Sequence, residues 1–291
     1  MRELASAFRC PFIRLMSRLH SVSSLSKWIP AVAGFCLLLC AAQLRAQPVH
    51  VHFQEGVTHG FLVMRDPHGK IIATGDMVQW AIRDKHYYSQ LVFHFFDGSL
   101  YSDTTIFKEH GTFQLISDHL IEKGPSFKEQ SEQWLDIPKR EFKARTIDEH
   151  GKSKYVEKHK MKLPDDVMNG LIYLVIKNIE PTAKSTTVSM IVGSPTPRVV
   201  KLIITPRAEG TFLIGTSKRK QLHYVIHIDI TGVAGVVAPI IGKQPPDEQM
   251  WIAAGEVPTF LKERGELYNG GPIWTIELAG PHWDEGVTAD N

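Results

Sequence analysis

Residues 223–230, His-Tyr-Val-Ile-His-Ile-Asp-Ile, decide the fold. In an extended chain successive side chains leave on opposite faces. Tyr224, Ile226, Ile228 and Ile230 therefore share one side, and His223, Val225, His227 and Asp229 the other. That is the signature of a strand in a sheet with one apolar and one polar face. Outward from it, the same pattern returns at 155–161, with more charge on one side. Runs rich in β-branched and aromatic residues lie at 61–65, 90–96, 113–121, 199–205 and 274–278. Between the runs sit tight-turn sequences: Asp66-Pro67-His68-Gly69, Asp97-Gly98-Ser99, Asp148-Glu149-His150-Gly151 and Asn269-Gly270-Gly271. Closely spaced strands joined by such turns pair antiparallel, because parallel pairing needs a long crossover each time.

One segment breaks the pattern. Leu163-Pro164-Asp165-Asp166 precedes a run, 167–179, in which eight residues are aliphatic or Met and Tyr173 adds a ninth large apolar group. Proline and acids ahead of an apolar run are helix-start features. An apolar surface almost all round requires burial on most sides. The spacing predicts a helix over about 164–179, with a buried strand as the alternative for its second half. The expected fold is mainly β: a curved antiparallel sheet, or open half-barrel, wrapped around one apolar helix. Residues 47–291 are expected to form a single β-rich domain, with a possible subdivision at Pro195-Thr196-Pro197.

The N-terminus reads as a targeting signal. Arg9, Arg14, Arg18 and Lys27 precede an apolar run at 28–42 that ends in Leu44-Arg45-Ala46. The run is shorter than the roughly 20 residues of a spanning helix and contains Pro30 and Gly34. A cleaved signal peptide over 1–46 is expected, with an N-terminal membrane anchor as the alternative and Met16 as a second candidate start. The segment holds all three cysteines, Cys10, Cys36 and Cys40, so the mature chain has none. A disulfide scaffold, a cysteine nucleophile and a zinc ribbon are thereby excluded from it. Of the 33 basic and 31 acidic residues, six and one lie in the leader, which leaves 27 against 30. A mildly acidic chain with interspersed charge has no electrostatic footprint for nucleic acid.

Candidate chemistry is sparse. No Gly-x-Ser-x-Gly elbow, His-Glu-x-x-His helix or phosphate-binding glycine loop occurs, and no cofactor is expected. His50 and His52, two apart in a β-like stretch, have the spacing of two ligands on one metal ion. His227 and Asp229 share a strand face as a general base and its orienting carboxylate do. His94 lies among aromatics and is expected to be buried. His119-Leu-Ile-Glu122 has helical metal-site spacing in strand-like surroundings. The apolar, glycine-interrupted stretch from Ile230 to Asp247 is a buried loop, a flap over a cavity or a patch touching lipid. Its candidate ligand contacts are Val236, Val237, Ile240, Ile241, Lys243 and Gln244.

Gly242-Lys-Gln-Pro-Pro-Asp247, Trp251-Ile252, Pro258-Thr-Phe260 and Gly270-Gly-Pro-Ile-Trp274 with Glu277 resemble the C-terminal part of an uncharacterised family of exported bacterial proteins. Asp97-Gly-Ser-Leu-Tyr101, Gly124-Pro-Ser-Phe127, Leu163-Pro-Asp-Asp166 and Asn169-Gly170 resemble the same family upstream. That resemblance implies export and carries no activity. The expected architecture is also similar to the envelope lipoprotein-carrier half-barrels, whose members bind acyl chains. The leading expectation is an exported β-rich protein, periplasmic or secreted, that binds an apolar or amphipathic, lipid-like ligand. Membrane contact is compatible with it, without a transmembrane segment in the mature chain. A hydrolase or metal-dependent enzyme built on the strand histidines, and an envelope interaction protein without a small-molecule site, are the alternatives.

Overall fold

The computed structural model describes residues 49–193, 196–230 and 244–280. The leader over 1–46, Pro195, and Val236, Val237, Ile240, Ile241 and Lys243 lie outside these residues. Among the described residues, no helix is long and apolar enough to cross a membrane.

Short turns dictate a meander. Asp66 Oδ1 accepts the backbone N–H groups of His68 and Lys70 at 2.9 and 3.0 Å, and Asp148 does the same for His150 and Lys152 at 3.0 and 2.9 Å. Each such turn reverses the chain locally, so sequential strands pair. Consecutive strands pair from β1 (Thr58–Arg65) through β2 (Ile71–Ala81), β3 (His86–Phe95), β4 (Leu100–Glu109), β5 (Phe113–Lys123), β6 (Gln130–Asp136) and β7 (Glu141–Ile147) to β8 (Ser153–Lys158). After helix α1 (Ile172–Lys177) come β9 (Thr186–Val192), β10 (Arg198–Pro206), β11 (Gly210–Ile214), β12 (Ser217–Asp229), β13 (Glu248–Ala253), β14 (Thr259–Glu266) and β15 (Ile273–Leu278). β15 returns to pair with β1. The sheet therefore runs β8 to β1, then β15-β14-β13-β12-β10-β9, with β11 beside β12. Among the described residues all strand pairings are antiparallel, and β8 and β9 end the sheet without meeting, so it is open and not a closed barrel.

The alternation at 223–230 holds. Tyr224 and Ile226 are buried on one face of β12, with Met250 across from Tyr224 and Ile204 across from Ile226. Cross-strand pairs continue the layer through Ile228–Leu202 and Leu202–Val188. On the other half, Phe93, Phe95, Tyr101, Phe107 and Phe113 point the same way and are buried. Period two also corrects the expectation for His94: with Phe93 and Phe95 turned inward, its side chain is exposed on the outer face.

Strands far apart in the sheet reach the same central segment. The Ser89 hydroxyl on β3 is hydrogen-bonded to Tyr173, and the Tyr224 hydroxyl on β12 donates to the Ile179 carbonyl at 3.1 Å. Five strands separate β3 from β12 in the sheet order, so the sheet curves around the helical segment. Leu171, Leu174, Val175 and Ile176 are buried in that centre, as an apolar surface all round requires.

The helix is shorter than the apolar run. Gly170 sits at φ +64° and Leu171 caps the helix without a side-chain bond, so regular helix starts only at Ile172. Upstream, the chain lies along the outer edge of β9. Ser189 N–H donates to the Asp166 carbonyl and Met168 N–H to the Ser189 carbonyl, both at 2.9 Å. The Asn169 side chain extends this ladder, accepting from Ile191 N–H at 2.8 Å and donating to the Ile191 carbonyl at 2.9 Å. Asp166 is therefore not a helix-start charge: its carboxylate accepts from Ser189 Oγ at 2.7 Å and pairs with Lys201 at 3.2 Å. This segment covers an edge that would otherwise offer unpaired backbone groups.

Candidate functional site

The inner face is apolar at its ends and acidic in its middle. Register places Tyr101 opposite Glu122, Asp103 opposite Leu120 and Thr105 opposite Asp118 on β4 and β5, so these six side chains share the inner face. On the other half, Glu263 stands opposite both Met250 and Ile276. Glu248 bends across Gly265, where an added Cβ would lie 2.7 Å from the Glu248 Cγ. Glycine at 265 is thus what leaves room for this carboxyl.

Two adjoining cavities lie between the sheet and the 169–173 segment. One, of about 240 Å³, is walled by Leu91, Ile172, Met190, Val200, Leu202 and Met250, with Asp103, Glu248, Glu263 and Arg198 at its polar side. The other, of about 580 Å³, is bounded by Asp103, Asp118, Glu122, Ser131 and Gln133. Tyr101, Asp103, Met190 and Tyr268 line both. Gly170 closes in on the acids between them: a Cβ there would lie 2.1 Å from Thr105 Oγ1, 2.8 Å from Asp118 Oδ1 and 3.1 Å from Asp103 Oδ1.

Removal from water dominates the electrostatics of these carboxyls. Burial pushes Asp103 well above the usual carboxylate range, and the neighbouring Asp118 charge pushes further. Burial raises Asp118 to about 6 against the stabilising hydrogen bonds of Asp103 and Thr105. Glu122 is raised to about 7 by burial, although Ser131 Oγ donates to its Oε2 at 2.6 Å. Burial lifts Glu263 to about 7 and Glu248 to about 8, with the charges of Glu263 and Glu266 adding to the latter. Asp103 Oδ1 and Arg198 Nε are shut off from solvent without a hydrogen-bond partner among the described residues. The inner face thus holds acids poised to exchange protons near neutrality, beside an apolar wall.

A second buried polar cluster has a mechanical role. Lys177 Nζ is 2.7 Å from Glu55 Oε1, and Glu55 Oε2 also accepts from Gln79 Nε2 at 2.8 Å. Glu109 accepts from the Glu55 N–H. This cluster staples the chain ahead of β1 and the end of α1 to β2 and β4.

The residues singled out from sequence lie elsewhere. His50 is exposed in an isolated bridge to Thr112, and His52 is 3.7 Å from Glu180. The His52 and Phe53 N–H groups donate to Asn178 Oδ1 at 2.8 and 2.9 Å, which fixes this stretch to the end of α1. Among the described residues, no group of three or more His, Cys, Asp or Glu side chains is placed to hold a metal ion. His227 takes Asp247 as its partner, Nδ1 to Oδ1 at 2.8 Å, on the outer face. His119 and Glu122 leave β5 on opposite faces: His119 stacks on Trp134 with centroids 5.1 Å apart, while Glu122 enters the cavity. Gln244 is exposed and donates to the Ile228 carbonyl, whereas the adjacent Pro245 and Pro246 line the smaller cavity. The acids of β4, β5, β13 and β14 escape motif searches. Their trace in the sequence is an acid at period two between inward aromatics, as in Tyr101-x-Asp103-x-Thr105-x-Phe107.

No family model matches the chain, and a search of curated proteins returns no match. A solved structure described as "Crystal structure of MucB in complex with MucA(peri)" aligns over 80% of this chain and 90% of that one, at 11% identity and a TM-score of 0.17. At that score the likeness carries no argument about function.

Proposed function

We propose that the protein is an exported binding protein whose inner-face cavities receive an amphipathic ligand. The observation that carries this reading is the junction of two unlike cavities. A wall of Leu91, Ile172, Met190, Val200 and Leu202 runs into a chamber of Asp103, Asp118, Glu122 and Ser131. The combined space is in the range of small-molecule sites, which are mostly apolar with a few placed polar groups. In this reading the ligand's apolar body lies against the first wall and its polar end among the acids. The leader over 1–46 directs the chain out of the cytoplasm, and residues 47–291 form the working domain. Native mass spectrometry of the protein purified from a bacterial envelope fraction tests this. Adduct mass that fragments as a small amphiphile supports the reading. A bare polypeptide mass, retained after incubation with an envelope lipid extract, argues against it.

A further inference from the structure

The charge lining the cavities is strongly one-sided. Asp103, Asp118 and Glu122 enter from β4 and β5, and Glu248, Glu263 and Glu266 from β13 and β14. Among the described residues that line the cavities, two cations stand against them, Arg198 from β10 and the exposed Lys128. Outside the cavities, Glu55 is paired with Lys177 and Asp166 with Lys201. Asp103, which lines both chambers, has another acid, Asp118, as its hydrogen-bonded neighbour. Buried carboxylates without cations are costly, and a ligand that supplies the missing positive charge recovers that cost.

We propose that the polar end of the ligand is a cationic nitrogen, an ammonium or amidinium group, held between the Asp103–Asp118 pair and Glu263. This deepens, and rests on, the amphipathic-ligand reading. The apolar body then occupies the smaller cavity along Leu91, Met190 and Leu202, which Tyr101, Tyr173 and Tyr268 also line.

Binding a cation favours the ionised carboxyls, so protons leave as the ligand enters. Affinity therefore rises with pH until the free-state acids have ionised. With Glu263 at about 7 in the free protein, coupling to this group alone makes affinity about tenfold higher at pH 8 than at pH 6.

Isothermal titration calorimetry of the full chain with three matched probes tests this: decylammonium, decanoate and decyl glucoside, each below its micellar concentration. Decylammonium is expected to bind most tightly, to release protons, and to gain about tenfold in affinity from pH 6 to pH 8. Asp103→Asn and Glu263→Gln keep the side-chain shape, and each is expected to weaken decylammonium at pH 8 and flatten the pH dependence. Near-UV circular dichroism reports whether the variants stay folded, and the pH dependence of the unmodified protein decides the matter if they do not. Preference for decanoate or decyl glucoside, or decylammonium affinity that is flat or falls with pH, overturns the cationic assignment while leaving the amphipathic reading intact. Failure of all three probes to bind overturns both.

Discussion

Glu122→Gln isolates the cost of one buried acid. Glu122 is 6% exposed, its Oε2 accepts from Ser131, and burial carries its carboxyl from 4.5 to about 7. A rise of that size is worth about 3 kcal/mol of differential interaction. Because the folded-state value lies above the unfolded one, the associated stability is fully present below about pH 4.5 and is lost as pH rises through about 7. Glutamine has the same shape, keeps an oxygen for Ser131 and never ionises. The variant should therefore gain on the unmodified protein by up to about 3 kcal/mol between pH 4.5 and pH 8. Urea unfolding of both proteins at pH 4.5, 6, 7 and 8, followed by tryptophan fluorescence, reads this as a pH-dependent difference in ΔG. A difference that stays constant across the series would mean that Glu122 ionises as an exposed acid does and that the larger cavity is a wet surface groove.

Two further substitutions probe what holds the cavity in place. Lys177→Met leaves Glu55 buried without its cation, and a loss of about 3–5 kcal/mol is expected in denaturant unfolding at pH 8. Gly170→Ala sets a methyl 2.1 Å from Thr105 Oγ1 at a φ of +64°. A loss of about 2 kcal/mol or more in the same assay is expected, with displacement of the Asp103–Asp118 pair reported by a changed pH dependence of ligand affinity.

Much of the fold is legible in the sequence, and little of the site is. Alternation at 223–230 places Tyr224, Ile226 and Ile228 inward because period two is a property of extended backbone, independent of tertiary context. The runs at 61–65, 90–96, 113–121, 199–205 and 274–278 all fall within strands, apart from Phe96 just beyond β3. The helix is legible as an apolar body needing cover, but not in its length. What shortens it is Gly170 with its left-handed backbone and the Asn169 side chain bound to β9, and both are tertiary facts. His94 misleads because aromatic neighbours in sequence lie on the opposite face of a strand. The acids of the inner face are hidden for a related reason. A charged residue in an alternating strand is assigned to the solvent side, and Asp103, Asp118 and Glu263 break that rule where a cavity needs them. Such violations of the local pattern are where function is to be sought.

The most direct test of the central claim is to photolabel the protein with a decylamine carrying a chain-terminal diazirine, at pH 8, and map the modified residues by peptide mass spectrometry. Insertion is expected into the inner wall, at Leu91, Met190, Val200 or Leu202, competed away by unlabelled decylammonium. Labelling confined to exposed apolar side chains such as Phe61, Trp80 and Phe96, without competition, would contradict it.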